Sequence, residues 1–259
     1  MAISKNLAKL VRSLETKKGR KKEGLFVAEG PKVVADLMAV NSPVRLIATA
    51  EWFTSAGLSP SEQDAVVTDD ELRKVSFLQH PQQVMALFPL PSLPDSHSFL
   101  PAPHSPLPER VLSLALDGVQ DPGNLGTIIR IADWFGIDAL YCSHDTADAY
   151  NPKVVQATMG SLARVHILYV DLPEWLAALP DDIPVYGTFL DGNSLYEQEL
   201  SSNGVIVMGN EGNGISSEVA RHINRRLLIP NFPPGRETAD SLNVAIATAI
   251  TCAEFRRRA

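Results

Sequence analysis

The chain has 259 residues, 45% of them hydrophobic and 20% charged, with a formal net charge of −7. That is the composition of a soluble globular protein built as one large domain or two modest ones. No apolar run approaches the roughly 20 residues that a membrane-spanning helix requires, and the amino terminus lacks the uninterrupted apolar core of a secretory signal, so the protein is expected in the cytoplasm.

Leu7, Leu10, Val11 and Leu14 recur at helical spacing, which predicts an amphipathic helix over 4–16. The first 25 residues hold eight basic side chains against Glu15 and Glu23, a local +6 on a chain whose remainder carries −13. Such a patch suits a polyanion, because phosphate neutralisation follows the local field more than total charge. It equally fits a solvated helix face followed by a Lys-rich turn. On the first reading Lys17, Lys18, Arg20, Lys21 and Lys22 are the candidate contacts.

A strand is predicted at Leu25–Ala28, then a helix opened by Pro31 and running to Val40. Another strand follows at Val44–Thr49, and Thr68-Asp-Asp-Glu71 has capping-box spacing that starts a helix reaching Val75. With a strand at Val84–Phe88 these make a small α/β unit over 1–90. Prolines 91, 94, 101, 103, 106 and 108, interspersed with Ser and His, predict an extended linker over 91–109.

From 110 to 259 strands alternate with helices. Strands are predicted at Val111–Leu116, Ala139–Ser143, His166–Val170, Val185–Leu190, Val205–Gly209 and Leu227–Pro230. Helices are predicted at Asn124–Phe135, Pro152–Leu162, Pro173–Leu179, Ser217–Ile223 and Ser241–Arg257. This predicts an α/β fold with a mostly parallel sheet covered on both faces, which binds ligands at the carboxyl ends of its strands. The last helix carries no charged residue from Ser241 through Cys252, so most of its faces should be covered. Cys142, in a strand-like run, and Cys252, in that helix, read as reduced core thiols.

Three strand ends carry residues that a covered sheet does not need. Asp117–Arg130 is a glycine-punctuated loop running into a helix, whose backbone N–H groups could hold a phosphate. Within it Asn124 reads as an N-cap or a ligand, and Arg130, in an otherwise apolar helix, as a functional guanidinium or one paired with Asp133 or Asp121. Met208–Ser216 packs Gly209, Gly212 and Gly214 around one carboxylate, Glu211, as either a left-handed turn or a loop approaching a ligand. This is neither a dinucleotide fingerprint nor a Walker A motif. In the third segment Ser241 can cap the last helix and Asn243 sit in its first turn, or both can face a pocket. The six histidines lack metal-ligand spacing, so no metal is expected, and His144, Asp145 and Asp148 read as a solvated turn.

Taken in order, these segments resemble the three signature motifs of the SpoU (TrmH) family of RNA 2′-O-ribose methyltransferases, in the SPOUT superfamily. The first is Asn124 to Arg130, the second Asn210-Glu211-Gly212, and the third Ile229-Pro230 with Ser241-Leu242-Asn243-Val244. Residues 1–90, with Leu25-Phe-Val-Ala-Glu-Gly30, resemble the L30e-like substrate-binding domain that often precedes it. The resemblance implies a SPOUT-type sheet with a carboxyl-terminal trefoil knot, a homodimer formed through the knot region, and S-adenosyl-L-methionine as cofactor. It implies cofactor contacts at Gly209, Ile229 and Leu242, with Asn210 and Gly212 beside them. It gives Arg130 the central catalytic role, positioned with the ribose by Asn124, Glu211, Ser241 and Asn243, and makes the basic residues near the amino terminus RNA contacts.

A guanidinium is a poor base, so Arg130 is expected to orient the RNA phosphate and stabilise the developing alkoxide. One departure from the family is the long, charged loop between Pro230 and Ser241. The activity expected is methylation of a ribose 2′-hydroxyl in structured RNA, ribosomal before transfer RNA. The alternative is a non-catalytic RNA-binding or ribosome-assembly factor that keeps the knotted fold.

Overall fold

In the structure, a computed structural model, residues 3–91, 112–233 and 236–258 are described. The linker expected over 91–109 therefore lies, Pro91 apart, outside the described residues. The chain forms two compact units, residues 1–92 with 148–163, and residues 93–147 with 164–259.

The first unit contains α1 (Lys5–Ser13), α2 (Lys17–Glu23), β1 (Leu25–Glu29), α3 (Pro31–Met38), β2 (Arg45–Ala48), α4 (Ala50–Ser55), β3 (Ala65–Val66), α5 (Asp69–Arg73) and β4 (Val84–Pro89). Its sheet runs β1-β4-β2-β3, antiparallel except between β2 and β3. Side chains alternate across the pleat, so each face has its own core. Phe26, Leu46, Ala86 and Phe88 meet Val34, Leu37, Trp52 and Phe53 on one side. Val27, Ile47, Met85 and Leu87 meet Leu7, Val11, Leu14 and Leu72 on the other. The predicted capping box is formed, with Thr68 and Glu71 exchanging bonds at the start of α5.

The helix expected over 4–16 forms as α1, and a second helix that was not expected follows it. α1 stops at Ser13, and α2 occupies the predicted Lys-rich turn, capped by Thr16 and closed by Gly24 at φ +66°. Gly19 permits the fold-back, since a Cβ there would lie 1.8 Å from the Ser13 carbonyl oxygen. This rearrangement corrects one candidate RNA contact. Arg20 is 2% exposed, and its guanidinium donates to the carbonyls of Leu14 (2.7 Å) and Glu15 (2.8 Å) and to Asp148 Oδ2 (2.6 Å). Arg20 is thus a buried structural ion-pair member, while Lys17, Lys18, Lys21 and Lys22 remain on the surface. The same pair removes Asp148 from the solvated turn in which the sequence placed it.

Breaking a buried pair from one side leaves an uncompensated charge, typically at a cost of several kcal/mol. Arg20→Ala is expected to lower the stability of the first unit by about 3 kcal/mol, and Lys18→Gln to change it by less than about 0.5 kcal/mol. Native-state hydrogen exchange of the β1 and β4 amides checks this; equal protection in both variants would contradict it.

In the remaining sequence follow β5 (Leu112–Leu116), α6 (Pro122–Trp134), β6 (Ala139–Cys142), α7 (Pro152–Ala157), a 3₁₀ turn (Ser161–Ala163), β7 (His166–Tyr169), α8 (Leu172–Ala177), β8 (Val185–Ser194), β9 (Gly204–Met208), α9 (Ser217–Ala220), β10 (Arg225–Leu228) and α10 (Val244–Arg257). Helix α7 and the 3₁₀ turn belong to the first unit, where Val155 enters the core. The second unit is a six-stranded sheet, β10-β8-β9-β5-β6-β7, and every pairing in it is parallel. The central strands β5 and β9 are buried at every position, as expected of strands covered on both faces. Cys142 and Cys252 are free and buried, and burial raises both thiols, Cys252 to about 12.

α10 packs beside α6 and begins later than predicted, at Val244. Thr248 and Thr251 donate back to the carbonyls of Val244 (2.7 Å) and Ala247 (2.9 Å), so two buried hydroxyls need no outside partner. At its other end Arg256 donates to the carbonyls of Phe135 and Gly136 just beyond α6. No described helix is long and apolar enough to cross a membrane.

Candidate active site

The site lies in the second unit, beyond the carboxyl ends of β5 and β9. After β5, the Asp117 carboxylate accepts from Ser216 N (2.7 Å), and Gly118 N donates to Ser143 Oγ (2.8 Å), which ties this loop to its neighbours. Asp121 caps α6, its side chain accepting from Asn124 N (2.8 Å), and Pro122 fills the first helical turn. Asn124 is therefore not the cap that one sequence reading made it. Its side chain is left to accept from Asn243 Nδ2 (2.9 Å) and to donate to Glu211 Oε1 (2.9 Å). Three residues separated by 87 and 119 positions thus form one hydrogen-bonded chain, Asn243–Asn124–Glu211.

After β9 the loop is a tight, closed turn. Asn210 and Gly214 exchange backbone hydrogen bonds (both 2.9 Å), and Gly214 takes φ +69°. Asn210 organises the loop from inside: Oδ1 accepts from the backbone of Gly212 (2.9 Å) and Asn213 (3.0 Å), and Nδ2 donates to the Gly118 carbonyl (2.6 Å). Gly209 is the point of closest approach, where a Cβ would lie 2.3 Å from Gly214 C and 2.4 Å from Ile215 N. The turn and the ligand-approach readings of this segment are therefore compatible.

The third segment is capped by Asn243 and not by Ser241. Asn243 Oδ1 accepts from Ala245 N (3.0 Å) and Ile246 N (3.3 Å) while its amide reaches Asn124. Ser241 is exposed just before the helix and lines the cavity described next.

That cavity, about 460 Å³, is bounded by Met208–Ile215, Leu228 and Ile229, and Asp240–Leu242 with Val244 and Ala247. It includes all five residues expected at a cofactor, Gly209, Asn210, Gly212, Ile229 and Leu242, together with Glu211 and Ser241. Asn124 and Asn243 join the wall through Glu211. Arg130 is exposed on α6 and makes no hydrogen bond or ion pair among the described residues. Neither pairing considered for it forms, because Asp133 takes Arg164 (2.8 Å) and Asp121 caps the helix. Among the described residues no group of His, Cys, Asp or Glu could hold a metal ion.

Sequence reasoning missed part of the wall. Thr188, Phe189 and Leu190 line the cavity from β8, where a simple strand was expected. The available signal was the pair Gly187 and Gly192, since glycine inside a strand marks a bulge or a close approach. Asp240 also lines the cavity from the long loop, which Asn231 Nδ2 closes on the Arg236 carbonyl at 2.8 Å.

Residues 111–253 match the SpoU rRNA Methylase family. The chain belongs to that family. Residues 5–86 match the MRM3-like substrate binding domain. The chain is 30% identical, over 95% of its length and 94% of the relative's, to the 23S rRNA (guanosine(2553)-2'-O)-methyltransferase RlmP of Bacillus subtilis. Its fold is similar to that of a TrmH-family protein from Porphyromonas gingivalis, with 41% identity, all of both chains covered and a TM-score of 0.86. It is also similar to an AdoMet-bound rRNA methyltransferase from Sinorhizobium meliloti, with 30% identity, 100% of this chain and 97% of that one covered, and a TM-score of 0.85.

In this SpoU-family site the loop after β9 is held by backbone packing, which no side chain at 209 can share. Gly209→Ala is expected to destabilise the second unit by about 2 kcal/mol, in the range of core overpacking. Thermal melting with hydrogen exchange of the 209–216 amides measures it; wild-type protection there would show that the loop has room.

Proposed function

We propose that this protein methylates a ribose 2′-hydroxyl in structured RNA, ribosomal before transfer RNA, with S-adenosyl-L-methionine as methyl donor. The observation that carries this reading is one cavity lined by the second and third motif segments, to which Asn124 of the first is tied through the Asn243–Asn124–Glu211 chain. The ribosomal RNA named for the Bacillus subtilis relative and the AdoMet of the Sinorhizobium meliloti structure support the substrate and the cofactor.

The cavity fits the cofactor on its own chemistry. Leu228, Ile229, Leu242 and Val244 give apolar surface, and the Gly209–Gly214 loop gives close backbone with Glu211 and Ser241 at its polar side. Bound there, S-adenosylmethionine supplies an electrophilic methyl group on a sulfonium. The protein's part is to hold a ribose hydroxyl in line and to exclude water while opposite charges disappear. Arg130, with no partner among the described residues, would grip an RNA phosphate and stabilise the alkoxide as the hydroxyl loses its proton. Asn124 would fix the Glu211 carboxylate relative to α6, the helix that carries Arg130.

We further propose residues 1–90 as an L30e-like RNA-binding domain, 91–109 as linker and 110–259 as the knotted methyltransferase domain, apart from 148–163, which belong to the first compact unit. In the first, Lys17, Lys18, Lys21 and Lys22 would meet phosphate, since Arg20 is committed inside the fold. A homodimer through the knot region is supported by apolar side chains left outside on the paired helices, Trp134 of α6 at 85% exposure and Ile246 of α10 at 52%.

Tritiated methyl transfer to total ribosomal and transfer RNA tests the activity. The wild type is expected to label ribosomal RNA, and Arg130→Ala to lose roughly 100- to 1,000-fold in kcat, as when one transition-state donor is removed. A wild type that binds RNA but transfers no methyl group to any pool is the assembly factor instead. For the amino-terminal domain, replacing Lys17, Lys18, Lys21 and Lys22 by Gln is expected to weaken RNA binding and flatten its salt dependence by about one unit of slope for each phosphate no longer neutralised. Filter binding across a salt series measures it, and an unchanged slope would place the RNA elsewhere.

A further inference from the structure

β8 and β10 pair in two pieces that do not share a register. Arg225 and Arg226 stand opposite Tyr186 and Gly187, but Leu227 and Leu228 stand opposite Asn193 and Ser194. One peptide link of β10 therefore faces an insertion in β8 running from Thr188 to Gly192. Thr188, Phe189 and Leu190 of this bulge line the cavity. An insertion this large leaves the ladder, so its shape depends on other contacts.

Glycines stand at either side, Gly187 making room for packed side chains and Gly192 for the backbone of β10. A Cβ at Gly187 would lie 2.5 Å from Ile223 Cδ1 and 2.8 Å from Phe189 Cε2, and one at Gly192 would lie 2.6 Å from the Leu227 carbonyl. Thr188 Oγ1 donates to Met208 Sδ over 3.9 Å, and the firmer hold comes from Arg226. Its guanidinium carbon sits 3.5 Å from the centroid of the Phe189 ring, and Nη2 donates to Asp191 Oδ1 at 2.5 Å. A planar fork can stack and pair at once, which an ammonium does less well. The arginine also holds the Asp191 carboxyl below its ordinary range.

We propose that Arg226 is a positioning residue for the cofactor: by clamping Phe189 and Asp191 it fixes the bulge whose Thr188, Phe189 and Leu190 form one wall of the cavity. The inference rests on reading that cavity as the S-adenosylmethionine site. Arg226 does not line the cavity, so its effect passes through the bulge. Because Asp191 and Arg226 are both exposed, the pair contributes little to global stability. Its loss should loosen the wall and leave the fold intact.

The test compares the wild type with Arg226→Ala, Arg226→Lys and Asp191→Asn by calorimetric titration with S-adenosylmethionine, steady-state methyl transfer and thermal melting. Arg226→Ala is expected to raise Kd and KM for S-adenosylmethionine about tenfold, with kcat and melting near wild type. Arg226→Lys should recover part of the affinity. Wild-type binding that Arg226→Ala leaves unchanged overturns the proposal alone, whereas a wild type that gives no heat overturns the reading of the cavity. A KM that rises for RNA and not for S-adenosylmethionine makes Arg226 an RNA contact and also overturns it. If Arg226→Ala melts early, Asp191→Asn decides: weaker cofactor binding with normal melting supports the clamp, and wild-type binding rejects it.

Discussion

The carboxamide of Asn124 is the joint on which the candidate site depends. A primary amide presents a donor and an acceptor on one small planar group, and here both are used, the oxygen by Asn243 and the nitrogen by Glu211. A carboxylate at 124 would repel Glu211, and an apolar side chain would leave two polar groups without their partner. The arrangement is possible because Asp121 caps α6 and relieves Asn124 of that duty. Asn243 divides its own amide in the same way, capping α10 with its oxygen and reaching Asn124 with its nitrogen. The two helix starts and the loop after β9 are thereby fixed to one another by side chains that also satisfy helix ends.

Around this joint the wall formed by the loop after β9 rests on close backbone packing. Gly209 lets the 210–214 turn close against the end of β9 at a distance no Cβ tolerates, and Asn210 fills the turn with hydrogen bonds to its own backbone and to Gly118. Such a wall has few side-chain atoms to move, so its geometry follows the sheet. The β8 bulge is the exception, because its residues have left the ladder and depend on a side chain from β10.

These differences explain what was legible in the sequence. Strands of the parallel sheet, the capping box at Thr68 and the glycine loops carry their information within a few residues, and they formed where expected to within a turn. Four of the five expected cofactor residues follow a strand end, a placement that the alternation of elements already implies, and Leu242 joins them from the start of α10. The short elements α4 and β3 were not predicted, and the misses among candidate residues are non-local. Arg20 looked like its lysine neighbours because its partner Asp148 lies 128 residues away. α2 has no apolar stripe for periodicity to find and is held by Thr16, Gly24 and that buried pair. That Asp121 and Asn243 cap α6 and α10, where Asn124 and Ser241 were read as caps, follows from where each helix starts, which the folded chain decides.

Apolar surface left in water falls into two sets. Leu190 is 76% exposed and Leu242 51%, and both line the cavity. Ile246 is 52% exposed on α10 and Trp134 85% at the end of α6, yet neither lines it. Exposed apolar area costs about 25 cal/mol per Å² relative to burial, so each set gains from being covered, but a ligand in the cavity can cover only the first. The second set is on helices whose other faces are already packed, and covering it takes a macromolecular surface such as a second copy of the chain. Because α10 begins at the cavity and carries Ile246 within its first turn, a ligand in the cavity and any surface that covers Ile246 would meet at the same helix start.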